Sequence, residues 1–410
     1  MAAQMQWLSP VSLQELVAAP VFRRTDDSDN GDLAIMLTGG GARAAYQVGL
    51  LRGIARHFPN LRFQIITGAS AGAINAIFLA AHEGTLTEKI DNMAEAWSEL
   101  QCDHIFRFDV RSVIPFRSAL ASLFPRHKWS RPHGVFDTTP LRRLLERVLH
   151  TDSGVPIDGV IRNVRSGDLH AVALITLDYS TGQSVRWVQG RAMDVFEGPN
   201  RRSARTELTI EHVLASAALP FVFPAVRIGS QWHGDGGIRL AAPLSSAVHL
   251  GAGRIVAMST GYQRTADEAD TPVVTGYPPA MQILSQLVNA VFIDAIEEDV
   301  TRMERMNDMI RRLSPAERNG FKPIDLLVLR PSVDLGKLAA EYEQYLPRSL
   351  KMLMRSLGTK ETASPDFISM LMFEPRYTER LLAIGEADVE SRLDELRCFF
   401  EEDAQALSAV

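Results

Sequence analysis

Three short, small-residue strings in this 410-residue chain carry the side chains best suited to covalent chemistry. The first is Gly68-Ala69-Ser70-Ala71-Gly72, set between an apolar run that reads as a buried strand and another that reads as a helix. A sharp strand-to-helix turn needs small residues round its apex because the backbones crowd there. Such a turn lifts the central hydroxyl into the open, beside helix N–H groups that favour negative charge. The chemistry suggested is nucleophilic attack by Ser70. The same string is equally consistent with a tight turn in which Ser70 only caps the helix.

The second string is Thr38-Gly39-Gly40-Gly41-Ala42-Arg43-Ala44, again between strand and helix. Three successive glycines cost conformational entropy, so they mark a backbone that must approach something closely. One occupant is an oxyanion held by loop N–H groups. The other is a pyrophosphate, since the string also fits G-x-G-x-x-A; that reading wants an acidic residue closing the next strand, and Ile65-Ile66-Thr67-Gly68 supplies none. The third string, His233-Gly234-Asp235-Gly236-Gly237, read alone is an ordinary turn. Set beside Ser70 it offers a base. A Ser–acid–His order would require His249, the last histidine, and several strands ahead of the elbow where only one is found. Direct proton transfer from Ser70 to Asp235 fits instead, since partial burial raises a carboxylate's pKa into a useful range.

The elements that must position these groups read as strands at 33–38, 63–67, 171–177, 184–188, 254–259 and 324–329, with helices at 42–56, 71–82, 140–149 and 210–218. Strands alternating with helices predict an α/β fold whose mostly parallel sheet is covered on both faces. Residues 1–32 read as an arm with a polar linker, 33–262 as the catalytic core, and 263–410 as a helical extension that returns strand 324–329 to the same sheet.

Composition narrows the function. With 46% hydrophobic and 22% charged residues the chain is a folded globular protein. A net charge of −6 argues against a duplex nucleic-acid binder. Two cysteines, Cys102 and Cys398, make neither a disulfide framework nor a zinc site, and the ten histidines are scattered, so no metal and no cofactor are expected. No apolar run reaches the length of a membrane span and the N-terminus lacks a basic signal region, which predicts a cytoplasmic location.

Together the three strings resemble the bacterial patatin-like phospholipases, a family with a glycine-rich oxyanion loop, a GxSxG serine and a D-G-G/A aspartate. The likeness continues through Gly134–Leu141, Val213–Pro224 and Phe373–Gly385, from about residue 33 almost to the end. It implies a three-layer α/β/α sandwich with C-terminal helices. It also implies a lipid ester substrate cleaved through an acyl-enzyme, Ser70 as nucleophile and Asp235 as general base. Backbone N–H groups of Gly39, Gly40, Gly41, Ala42 and Arg43 would form the oxyanion hole, with Gly68, Gly72, Gly236 and Gly237 shaping the turns. Thr38 and Ala44 stand where the family commonly has Asp and Gly; Thr38 removes a charge that could anchor the loop. The same dyad would serve an acyltransferase or a polyester-oligomer hydrolase, and the altered loop leaves open a catalytically silent lipid-binding protein.

Two stretches suggest peripheral contact with an anionic membrane, at the inner surface. Between His104 and Gly134 six basic residues (Arg107, Arg111, Arg117, Arg126, Lys128, Arg131) stand against Asp109, interleaved with Phe106, Phe108, Phe116, Phe124 and Trp129. Its length and three prolines suit a lid. A solvated loop with buried aromatics has the same composition. Arg348–Leu357 carries an apolar stripe flanked by bases, a pattern more common in cores. Met281–Leu313 reads as a long amphipathic helix packed on the sheet, its methionines a dimer contact at most. Oligomeric state is not written in these motifs.

Overall fold

Alternation within one strand sets the layers. In β1 (Asp32–Leu37), Leu33, Ile35 and Leu37 enter one apolar core while Ala34 and Met36 enter another on the opposite face. A strand buried on both faces must be apolar throughout, as this one is after its first residue. The computed structural model describes residues 32–108, 136–191, 198–270, 295–348 and 365–407, with isolated positions between 277 and 291 and at 350 and 351.

Seven strands follow one path, and two more join it. In chain order they continue with β2 (Ile65–Ala69), β3 (Ala171–Asp178), β4 (Ser184–Gly190), β5 (Arg201–Arg205), β6 (Val226–Ile228), β7 (Gln231–Asp235), β8 (Ala252–Met258) and β9 (Asp325–Leu329). The spatial order is β9-β8-β1-β2-β3-β4-β5, with β7 pairing both β3 and β6. From β9 to β3 every pairing is parallel. β4 then turns back antiparallel on β3, with β5 parallel to β4.

On the first face lie α1 (Ala44–His57), α2 (Ala71–Ala81), α3 (Leu86–Ser98) and α4 (Thr139–Val148). On the second lie α5 (Ser245–His249) and the start of α6 (Ala295–Arg312), through Ala247, Ile296 and Val300. The C-terminal region is woven into both. β9 extends the parallel ladder from Arg254↔Asp325 to Met258↔Leu329. The helix α7 (Pro365–Leu371) meets the glycine loop, and α8 (Pro375–Ser391) lies along α1. That crossing is close because Gly49 and Gly385 face backbone: a Cβ on Gly385 would stand 2.5 Å from the Tyr46 carbonyl.

Several expectations need adjustment. β2 runs on to Ala69, since its ladders to β1 and β3 carry Gly68 and Ala69 into the sheet; only Ser70 makes the turn. β5, β6 and β7 were not legible as strands, being short and polar or glycine-bearing. Phe106, expected at a surface, is 5% exposed and packs with Phe136 and Phe223. It is drawn in where Arg107–Phe108 pairs with Phe136–Asp137. Leu350, by contrast, is core as its stripe's pattern favours, at 2% exposure. The arm 1–31, the stretch 109–135 with Phe116, Phe124, Trp129 and the basic residues between them, and residues 352–364 lie outside the described residues. No helix among the described residues is long and apolar enough to cross a membrane.

Candidate active site

Strand register brings the two reactive residues together. β2 ends with Ala69 opposite Ile175 of β3. The other edge of β3 is occupied by β4, so the continuation of the vacated edge is free, and β7 fills it antiparallel with Asp235 opposite Thr176. β2 and β7 therefore meet end to end. Ser70 is the next residue after one and Asp235 the last of the other. The Ser70 hydroxyl donates to Asp235 Oδ2 at 2.6 Å.

Ser70 does not cap α2: its side chain makes no capping bond, and its φ of 56° and ψ of −132° are strained for a residue with a Cβ. Its N–H donates to Ser216 Oγ at 3.1 Å, and Ser216 in turn donates to the Ile175 carbonyl at 2.6 Å. The strained turn is thus tied to the sheet through Ser216. Gly68 and Gly72 are required by crowding: a Cβ on Gly68 would stand 2.5 Å from the Gly72 carbonyl, and one on Gly72 would collide with the Leu37 carbonyl.

Asp235 is fully buried. Its Oδ1 accepts from the Gly237 N–H at 2.8 Å, and its own N–H donates to the Ala218 carbonyl at 3.0 Å. Burial pushes its carboxyl up from 3.8 to about 7, against the opposing pull of the Ser70 and Gly237 hydrogen bonds. Gly236 sits where a Cβ would collide with the Ile175 carbonyl.

The glycine loop is pinned from three sides. Thr38, standing where a charge was thought helpful, anchors the loop without one: its hydroxyl donates to the Met258 carbonyl at 3.1 Å and accepts from the Thr260 N–H at 3.2 Å. The Thr260 hydroxyl holds the Gly39 carbonyl at 2.6 Å. Gly40 and Gly41 take φ values of 149° and 57°, and a Cβ on Gly41 would collide with the Met370 carbonyl of α7. Gly39 lies against Ser70, a Cβ there falling 2.8 Å from the Ser70 Cβ. Among the described residues the N–H groups of Gly39, Gly40, Gly41 and Ala42 have no partner, whereas that of Arg43 is spent on the Gly40 carbonyl at 3.2 Å. Arg43 is thereby removed from the expected set of oxyanion donors. Its buried side chain instead binds α7, giving hydrogen bonds of 2.6 Å to Ser369 Oγ and 2.6 Å to Asp366 Oδ1.

A cavity opens beside Ser70 and Gly41 on the first face, between α2, α3, α4 and the α7–α8 junction. Its wall is almost wholly apolar; Ile74, Phe78, Trp97, Leu145, Phe223 and Met370 are typical. Its polar group, Asn75, is saturated by Ala44, Gln47 and Trp97. Histidines are elsewhere. His233 shares β7 with Asp235, but its ring meets Thr176 Oγ1 at 3.1 Å and packs on Trp187. Neither Ser70 nor Asp235 has a histidine among its described hydrogen-bond partners.

The sequence profile of the patatin-like phospholipases matches residues 35–248, more than half of the chain. The chain belongs to that family. The patatin-like region thus contains the glycine loop, the Ser70 turn and the Asp235 turn, while α7 and α8, which press on the loop, lie beyond it. Among solved structures it is similar to human GIVD cytosolic phospholipase A2 in complex with methyl gamma-linolenyl fluorophosphonate and terbium chloride. The TM-score is 0.45 at 12% identity, over 92% of this chain and 60% of that one. It is also similar to VipD from Legionella pneumophila, with TM-score 0.31 and 12% identity over 86% of this chain and 67% of that one. The chain spans about three fifths of the human structure's length. No curated protein matches it. Ser216, Thr260, Asp366 and Ser369 escaped the sequence reading. Ser216 lay inside the Val213–Pro224 string already singled out, whereas the other three carried no local signal.

Proposed function

We propose that this patatin-like chain is a serine acyl hydrolase that cleaves carboxyl esters of lipids, of phospholipase A or lysophospholipase type, with a Ser70–Asp235 dyad. The carrying observation is the 2.6 Å hydrogen bond between a strained serine and a fully buried aspartate beside an apolar cavity. Ser70 Oγ attacks the ester carbonyl while its proton passes to Asp235 Oδ2. The carbonyl oxygen takes up negative charge beside the unpartnered N–H groups of Gly39, Gly40, Gly41 and Ala42. Asp235 then returns the proton to the departing alkoxide, leaving Ser70 acylated. Water, deprotonated by the same carboxylate, attacks the acyl-enzyme and releases the fatty acid. A carboxylate with a pKa near 7 suits this double duty.

The cavity supports a long acyl chain as the part recognised, because it offers apolar surface and no unsatisfied polar side chain in its wall. Transfer of the acyl group to an alcohol, or hydrolysis of polyester oligomers, uses the same dyad. A silent lipid-binding protein would retain the cavity and lose the chemistry. A fluorophosphonate probe followed by peptide mapping separates these classes: labelling at Ser70 supports the hydrolase, and a folded but unlabelled protein supports the binder. A panel of phospholipid, lysophospholipid and polyester-oligomer substrates, with and without an acceptor alcohol, then separates the enzymes. Peripheral contact of the His104–Gly134 stretch with anionic membrane rests on its charge. Changing Arg126, Lys128 and Arg131 together to Gln tests it, with weaker binding to anionic vesicles and unchanged cleavage of a soluble ester as the supporting result.

A further inference from the structure

On the sheet face opposite the acyl cavity, a second cleft lies between β4, β5 and the segment from Arg239 to Ser246. Register explains its composition. Trp187 of β4 packs against the first core, so Ser184 and Arg186, at the alternate positions of the strand, face the other way. Their partners on β5 are Arg201 and Ser203, which share that face. The lining therefore gathers Arg186 and Arg201, with Arg239 beside them and no Asp or Glu among the described lining residues; Arg202, opposite Val185, also borders the cleft but donates to Gln231 Oε1 at 3.0 Å.

Arg186 is the unexplained member. It is 8% exposed and makes no ion pair among the described residues. Its Nε donates to Ser246 Oγ at 3.1 Å and its Nη1 to Ser203 Oγ at 3.5 Å, both neutral hydroxyls. Burial, then the neighbouring Arg201, bring its guanidinium down to about 10. Burial, then Arg186 and Arg201, bring His249 to about 4, so that ring adds no charge near neutrality. Neither acidic group nearby is paired with Arg186. Asp299 accepts from the Leu244 N–H and pairs with Arg302, although Arg201 also acts on it. Asp178 accepts from Ser180 and Thr181 and stands 3.6 Å from Arg202. Arg239, on the exposed rim, donates to Asn200 at 2.9 Å.

A buried guanidinium facing only hydroxyls is costly, and an anion supplied from outside removes that cost. Several guanidinium forks round one cleft suit a ligand with more than one negative charge and several acceptor oxygens, which a phosphate group has. We propose that this cleft binds a phosphate-bearing anion, with Arg186 as its charged floor and Arg239 at its mouth. The site shares no lining residue with the acyl cavity, so the ligand is a separate molecule from the ester being cleaved. Arg239 also closes the short helical turn that begins at Gly236, directly after Asp235, so occupancy would stiffen the turn that carries the candidate base.

The test uses the full chain, in chloride buffer of matched ionic strength. Inorganic phosphate and glycerol 3-phosphate are followed by calorimetry and thermal shift, and vesicles of phosphatidylcholine with or without phosphatidic acid by flotation. Saturable binding of at least one phosphate-bearing probe is expected, kept in Ser70→Ala, weakened about tenfold or more in Arg239→Gln, and lost in Arg186→Met. Without phosphate, Arg186→Met should melt no lower than the parent, because it removes an unpaired buried charge. Binding of inorganic phosphate as tight as the others points to free phosphate. Tighter glycerol 3-phosphate, or vesicle binding that needs phosphatidic acid and Arg239, points to a lipid headgroup. Should Arg186→Met fail to fold, Arg239→Gln carries the comparison. No binding of any probe, or binding by Arg239→Gln equal to the parent's, overturns the proposal.

Discussion

At the scale of single residues, the site turns on a serine hydroxyl and a carboxylate that share one proton path. Because they act as a unit, Ser70→Ala and Asp235→Ala should each lower kcat for a soluble ester by about 10³ or more, and the double variant should lose little further. His233→Gln and His249→Gln should retain activity; a folded His249→Gln enzyme without it would restore the case for a triad. The raised pKa of Asp235 fixes two signs of pH dependence. Catalysis needs the ionised form, so kcat/KM should fall as pH drops through about 7. Stability runs the other way. A carboxyl whose folded pKa lies above its unfolded value binds its proton more tightly when native, so stability is lost as pH rises from about 4 to about 7. Asp235→Asn should thus be inactive yet melt higher than the parent at pH 8, by about 2 °C or more. That gain should vanish near pH 4. Equal melting of the two proteins across this range would show that burial does not penalise the charge.

Between elements, the decisive relation is the grip of α7 on the glycine loop. Gly40→Ala and Gly41→Ala differ in what they meet. Both take positive φ values that strain a residue with a Cβ; at Gly40 the added methyl collides with the Thr260 side chain, at Gly41 with the Met370 main chain, which has less room to give. Gly41→Ala should therefore lose both activity and several degrees of melting temperature. Gly40→Ala should lose turnover by about 10² and a smaller part of the melting temperature. Breaking the anchor from the far side tests the same grip. Asp366→Asn leaves Arg43 buried without its charge partner, a change worth about 3–5 kcal/mol when such a pair is fully buried. Asp366 is only partly so, its side chain being 17% exposed, and the loss should be smaller. A melting curve with a parallel fluorophosphonate labelling rate would read both effects.

For the molecule as a whole, the region after residue 262 is structural to the site and no appendage. β9 completes the parallel ladder, α8 lies along α1, and the Tyr46 hydroxyl reaches Asp388 Oδ2 at 2.8 Å across that contact. A chain truncated before Pro365 should fail to give a cooperatively folded, labelling-competent protein, because α7 and α8 cover apolar α1 residues and the Gly41 backbone. Gly385→Val tests the crossing in the intact chain, and a melting temperature equal to the parent's would show that the helices part without cost.

The sequence by itself determined the elements whose signal is local. The buried strands β1, β2, β3, β8 and β9 announced themselves as apolar runs, and the serine and the glycine loop as small residues at strand-to-helix turns. The helices behind those turns carried apolar spacing that any packed sheet would use. What chain order left undecided is which distant ends meet. Asp235 becomes Ser70's partner because β7 occupies the edge of β3 that β2 leaves at Ile175, a consequence of two registers between segments far apart in the chain. Thr38's anchoring, Arg43's turn toward α7, and the gathering of arginines opposite α5 have the same origin. Local pattern fixes which side of a strand or helix is apolar. Only tertiary packing fixes what each polar group finds there, and with it which groups are satisfied, which are strained, and which are left open for a ligand.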